Sequence, residues 1–265
     1  MEGKTYFVSG KTDKNGLFTG QGATEYYAVY GADADGYYGT SFDYSNFTGY
    51  SGVLGFRKWQ PWNPTLKVVL KKIKNPIAMY AYGTDRIKHP KQNEFIGYDL
   101  VKHDWVSPYG KGSVSDFLFK LENDFISNNN YKIKLTTKFS NLADGLKFFS
   151  SLEQQGSHLR SANQAPLNGY QSELIQTMSM DPEKGFKYSF NREEGGGYYF
   201  RGRCDGDTSD SCLYGKIYGN IEFGKNQLIF NYYLNPSIGD TNIEFDPKKN
   251  LFKGFKRTLH RMSKP

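Results

Sequence analysis

The chain has 265 residues, room for one large domain or two ordinary ones, and is rich in Tyr (21), Phe (20) and Gly (29). Its formal charge of +7 resides wholly after Asp246, where Lys248, Lys249, Lys253, Lys256, Arg257, Arg261 and Lys264 meet no acid; the body keeps 34 − 7 = 27 basic and 27 acidic residues. A neutral body argues against a nucleic-acid face, and no stretch approaches the ~20 apolar residues that span a bilayer.

Aromatic and β-branched residues suit a pleated, half-buried surface and glycine suits tight turns, so an all-β chain is expected. Met1 to Lys4 show no basic region leading into an apolar core, so no signal peptide is read there. In chain order, Lys4 to Gly10 reads as a short strand. Asp13-Lys-Asn-Gly16 follows as a turn in which Asp bonds forward and Gly takes positive φ. Tyr26 to Tyr30 reads as a strand, Gly31 to Gly36 as a second turn before Tyr37-Tyr38, and Leu66 to Ile73 as a strand ending at Asn75-Pro76.

The runs SGKTDKNGLFTG, YYAVYGADADGYYG and LKVVLKK resemble the later strands of the carboxypeptidase regulatory-like, transthyretin-like β-sandwich. The matching positions are Thr12, Asp13, Gly16, Phe18, Gly36, Tyr37 and Leu66 to Leu70. The family's opening strands have no counterpart before Lys4, so the expectation is either a sequence that starts inside the sandwich or an incomplete domain whose edge a second domain or a partner strand covers. The resemblance implies an extracytoplasmic accessory module and brings no catalytic residue with it.

Prolines crowd residues 60–64 and 75–90, which places a boundary near Asn75-Pro76. Three units are expected: the transthyretin-like part at 1–75, a larger antiparallel, jelly-roll-like β-sandwich with little helix at 76–246, and a basic tail at 247–265. Phe117, Phe119 and Leu121 alternate with polar neighbours, as do Tyr131, Ile133, Leu135, Thr137 and Phe139, the period of half-exposed strands joined by a turn at Ser127 to Asn130. Ser172 to Met180 reads as a turn or two of helix. Phe186 to Phe190 is expected to pair with Tyr198 to Arg203, and Leu213 to Phe223 with Gln227 to Leu234 across Gly224-Lys-Asn226. Leu251, Phe255, Leu259 and Met262 fall at helical spacing, so the tail reads as a capping helix or a basic surface that touches an anionic membrane or a partner.

No Gly-x-Ser-x-Gly, His-Glu-x-x-His or phosphate-cradling loop occurs, and His103-Asp104 are strand neighbours facing opposite ways. Cys204 and Cys212 bracket an Asp-Gly-Asp-Thr-Ser-Asp-Ser loop. The pair closes as a cross-strand disulfide, implying an oxidising compartment, or stays as two thiols. Asp205, Asp207 and Asp210 put three carboxylates on that loop, an oxygen-rich setting for Ca2+ against the plainer reading of a solvated hairpin tip. Trp59, Trp62, Trp105 and Tyr109 lie on Pro-containing connections, as flat faces for a sugar ring or as plugs between domains. The expectation is a non-enzymatic binding or structural module that is periplasmic, secreted or at a bacterial surface. A carbohydrate-active protein, or a component of a phage or secretion assembly, is the alternative; its partner is then another protein, a copy of itself or a glycan.

Overall fold

A computed structural model describes residues 7–22, 28–44, 49–51, 58–61, 63–150, 156–189, 196–206, 208–253, 262 and 264–265. The chain is all-β, and its described helical pieces are two three-residue 3-10 turns, Ser209–Ser211 and Pro247–Lys249. The first strands are β1 (Ala28–Ala32), β2 (Tyr37–Tyr38), β3 (Thr40–Tyr44), β4 (Gly49–Ser51), β5 (Lys58–Gln60) and β6 (Lys71–Lys72). They form three two-stranded ladders, β1 with β3, β2 with β6 and β4 with β5.

Then follow β7 (Tyr80–Gly83), β8 (Ile87–Lys88), β9 (Ile96–Asp99), β10 (Asp104–Trp105), β11 (Phe117–Ser127), β12 (Asn130–Lys138), β13 (Gly145–Phe149), β14 (Glu173–Asp181), β15 (Gly185–Tyr188), β16 (Gly197–Gly202), β17 (Leu213–Phe223) and β18 (Gln227–Leu234). Two antiparallel sheets of six strands result. One runs β10-β9-β11-β12-β14-β15; the other runs β13-β16-β17-β18-β7, with β8 also on β18. Phe117, Phe119, Leu121, Ile133 and Leu135 of the first sheet pack against Tyr198, Phe200, Ile217, Phe230 and Tyr232 of the second, which makes a sandwich.

The second sheet is apolar on both faces. Successive side chains on a strand point to opposite sides, so Tyr199, Tyr214, Tyr218 and Tyr233 turn away from the sandwich interior. They meet a second core of Met79, Phe149, Ile243, Phe245 and Met262. This explains the high aromatic content: β16, β17 and β18 carry large rings on both of their faces.

Across that covered face the N-terminal strands join the body. Tyr38 Oη donates to Glu244 at 2.7 Å, Gly39 O accepts from His158 N at 2.9 Å, and Thr40 bridges Ser157.

Several expectations hold. Asp13 Oδ1 accepts from Asn15 N and Leu17 N while Gly16 takes φ +77°, the expected turn. The β11–β12 and β17–β18 hairpins fall where alternation and the Gly224 turn put them.

Others are corrected. Residues 172–180 are not helical: β14 pairs with β12 over eight positions, and that ladder satisfies the backbone that a helix would have satisfied internally. β15 pairs with β14 and not with β16, because Asp181 Oδ1 accepts from Glu183 N and Lys184 N and Gly185 takes φ +69°, which closes a turn upstream of the expected one. Residues 7–10 join no ladder, and of the Leu66 to Ile73 strand only Lys71–Lys72 is paired. The strand expected at Tyr26 to Tyr30 runs over Ala28–Ala32, with 26 and 27 outside the described residues. The helix expected in the tail also falls largely outside the described residues, but Met262 is 2% exposed and packed in the second core.

Candidate functional site

The aromatic positions separate. Trp105, read as a face for a sugar ring or as a plug between domains, lies in β10 at 7% exposure, edge-on to Tyr98, His89 and Phe119. Asp104 turns the chain inward there by accepting from Trp105 N and Lys111 N, so the indole fills core and is not a sugar platform. Tyr109 is 42% exposed on the following loop. Trp59 lies in β5, and Trp62 is outside the described residues. His103 stacks on Tyr82 at 4.6 Å and sits at φ +46°.

Cys204 and Cys212 form a disulfide with Cα atoms 4.0 Å apart, and both sulfurs lie in the second core. The loop they close holds Asp205 and Asp210, both exposed; Asp207 is outside the described residues. Among the described residues no group of three or more His, Cys, Asp or Glu is arranged to hold a metal ion.

Beside the disulfide is an ionic knot. Arg203, at φ +54°, donates from Nε to Asp116 Oδ1 at 2.6 Å, from Nη2 to Asp116 Oδ2 at 2.8 Å, and from Nη2 to Asp99 Oδ1 at 3.2 Å. Asp99 also accepts from the backbone N–H groups of Val101, Lys102, Ser113 and Val114. Burial pushes the Asp99 carboxyl upward, but these donors and the Arg203 charge outweigh it and hold it below the usual range. Asp116 goes the other way: burial raises it despite Arg203. Asp144 accepts from Cys204 N and Arg203 N. With so many bonds committed, these buried acids tie β9, the 113–116 turn and β16 to the stapled loop.

The other concentration of charge lies on the second sheet's outer face. Lys216 of β17, flanked by the core residues Gly215 and Ile217, is 0% exposed. Its ammonium donates to Ser161 Oγ at 3.2 Å and Tyr218 Oη at 2.9 Å and lies 4.7 Å and 5.1 Å from the Tyr218 and Tyr233 ring centres. Burial drives it well below the ordinary lysine value; the Lys71 charge adds to that and Glu244 opposes it. Ser161 resembles a nucleophile beside a base only at first sight. It is fully buried, and its hydroxyl donates to Ala162 O at 2.9 Å, so no substrate carbon reaches it.

Directly outside this cluster a cleft of about 430 Å³ opens between Lys71, Lys72 and Lys74 on one wall and Ala162, Asn163 and Gln164 on the other. Lys71 is pinned by bonds from its ammonium to Leu159 O at 2.9 Å and Ser161 O at 3.0 Å. Buried Glu244 anchors the same wall, accepting from Lys74 N at 2.9 Å and Asn75 N at 2.8 Å as well as from Tyr38. Burial raises its carboxyl, and the Asn75, Tyr38, Lys74 and Asn163 donors together bring it below the usual range, so it stays ionised.

Sequence reasoning missed both clusters. The signals available were a lysine on the core face of LYGKIYGN and the run Lys71-Lys72-x-Lys74 just before Asn75-Pro76. No family model matches the chain, and no curated protein or solved structure matches it at a significant level.

Proposed function

We propose that the chain is a non-enzymatic binding or structural module that works outside the reducing cytosol, at a bacterial envelope or surface. The observation that carries this is the Cys204–Cys212 disulfide, which closes a short loop against the Asp144 and Arg203 contacts. Such bonds persist in oxidising compartments and are rare where thiols are kept reduced. No helix of the described residues is long and apolar enough to cross a membrane. The transthyretin-like reading of residues 1–75 belongs to the same proposal.

A glycan is favoured as ligand by one specific observation, the exposed Tyr109 ring beside Pro108. The test is a glycan array probed with the full chain, followed by Tyr109→Ala and Trp59→Ala on any hit, with light scattering for self-association. A ligand or a concentration-dependent assembly is expected. An empty array together with a monomer at every concentration contradicts the module reading.

A further inference from the structure

The lysine-lined cleft has the chemistry of a site rather than of a solvated surface. Lys72 and Lys74 are exposed, and neither makes an ion pair among the described residues. No carboxylate lines the cleft; the opposite wall brings Asn163, whose side chain is turned to Glu244, and the exposed Gln164. The nearby anion, Glu244, is buried and committed to Tyr38, Lys74 N and Asn75 N. Lys71 stands close enough to Lys216 for the two charges to disfavour each other. Like charges converging on a concave wall raise the local potential, which an incoming anion relieves.

The walls are also set in advance. Two backbone carbonyls hold Lys71, Glu244 holds the backbone at Lys74 and Asn75, and Asn242 Nδ2 donates to Asn75 O at 2.8 Å. A ligand therefore loses little affinity to ordering the wall's backbone, and the ordering cost falls on the exposed Lys72 and Lys74 side chains. The space measures about 430 Å³ and is open to solvent, so a ligand lies on the lysine wall and keeps part of its surface in water.

We infer that this cleft binds a compact polyanion through phosphate, sulfate or carboxylate oxygens, with Lys72 and Lys74 as the charged contacts, Lys71 as a fixed wall and Gln164 as a hydrogen-bonding partner. The inference rests on reading the chain as a binding module and names the ligand class of that module. Two sources share the chemistry, a phosphorylated small molecule and an acidic sugar.

The test is calorimetric titration of the full chain with inorganic pyrophosphate, with trigalacturonate and with neutral maltotriose, at low and physiological salt. Binding of pyrophosphate, trigalacturonate or both is expected, weakening as salt rises. The arm that binds identifies the source. The Lys72→Ala/Lys74→Ala pair, in which both side chains are exposed and the melting temperature should hold, is expected to weaken binding roughly tenfold or more, as charged hydrogen bonds do. The pair Lys132→Ala/Lys187→Ala removes the same charge elsewhere and should leave binding within about twofold, because distant exposed charges are screened. Equal losses in the two pairs overturn the inference, as does equal binding of maltotriose. Silence of both anions overturns it too. If a neutral glycan from the array still binds, the module reading stands without the cleft; if nothing binds and nothing assembles, both fall.

Discussion

Arg203 is the side chain whose removal should reveal most about how this sandwich is held. It chelates both oxygens of Asp116, a residue 4% exposed, and reaches Asp99, which is 1% exposed. Replacing Arg203 with Met keeps much of the stem and removes the cation. Asp99 retains four backbone donors, so its loss is partial. Asp116 is left with one, Leu100 N at 2.7 Å. Breaking a buried pair by deleting one partner costs roughly 3–5 kcal/mol; the Arg203 side chain is 27% exposed, which places the expectation near the lower end, about 3 kcal/mol. Asp116→Asn/Arg203→Met removes the stranded charge and should recover part of that loss.

The pH dependence follows from the two acids. The Asp116 carboxyl already sits above its ordinary value of 3.8, so the folded state binds that proton more tightly, and losing Arg203 raises it further. The penalty is therefore full at neutral pH and shrinks as pH falls toward 3.8. Asp99 acts in the same direction: Arg203 helps to depress it, and that help matters only while the carboxylate is ionised. Urea unfolding of wild type and variant at several pH values measures the gap directly. A loss below about 1 kcal/mol at pH 7, or a gap that widens on acidification, refutes the reasoning.

Trp105→Ala should cost about 3–5 kcal/mol in chemical unfolding, as for a buried aromatic truncated in a core, and should leave any glycan binding of the folded fraction unchanged. Lys216→Met should be neutral or stabilising by up to a few kcal/mol, since Ser161 keeps Ala162 O and Tyr218 keeps Pro265 O as acceptors. A lysine depressed in the folded state binds fewer protons than in the unfolded chain, so wild-type stability gains from this residue as pH rises toward 10.5; the difference between variant and wild type should narrow over that range. Reducing the disulfide, or Cys204→Ala/Cys212→Ala, should cost roughly 2.5 kcal/mol by the loop-closure relation for a short ring, read as a lowered melting temperature.

What was legible in the residues was local. Alternation in Phe117 to Leu121 and Tyr131 to Phe139 reports a ladder whose two strands are joined by a two-residue turn, so neighbours in sequence are partners in space. The Cys204–Cys212 pair and the Asp13 turn are equally short-range. Residues 172–180 were misread because Leu174, Ile175 and Met178 fall at helical spacing; their ladder partner, β12, lies some forty residues upstream, beyond any local pattern.

Residues around Trp105 leave its two readings open because Pro108 and four nearby glycines or serines announce a loop, while Asp104 accepts from Trp105 N and Lys111 N where the indole enters the core. Arg203 reaches partners 87 and 104 residues away, and Lys71 meets the facing wall of the cleft 90 residues on. Lys71, Lys72 and Lys74 carry the pattern of an ordinary half-exposed strand, and only the tertiary approach of residues 162–164 turns them into one wall of a cleft.

The proposal of a module that works outside the reducing cytosol is tested most directly by the thiol state of protein taken from its own cells. The cells are quenched in acid with an alkylating agent, and the peptides spanning Cys204 and Cys212 are weighed without reduction. A single cross-linked species, with no alkylated Cys204 or Cys212, is the predicted result. Two fully alkylated cysteines in the native material would contradict it.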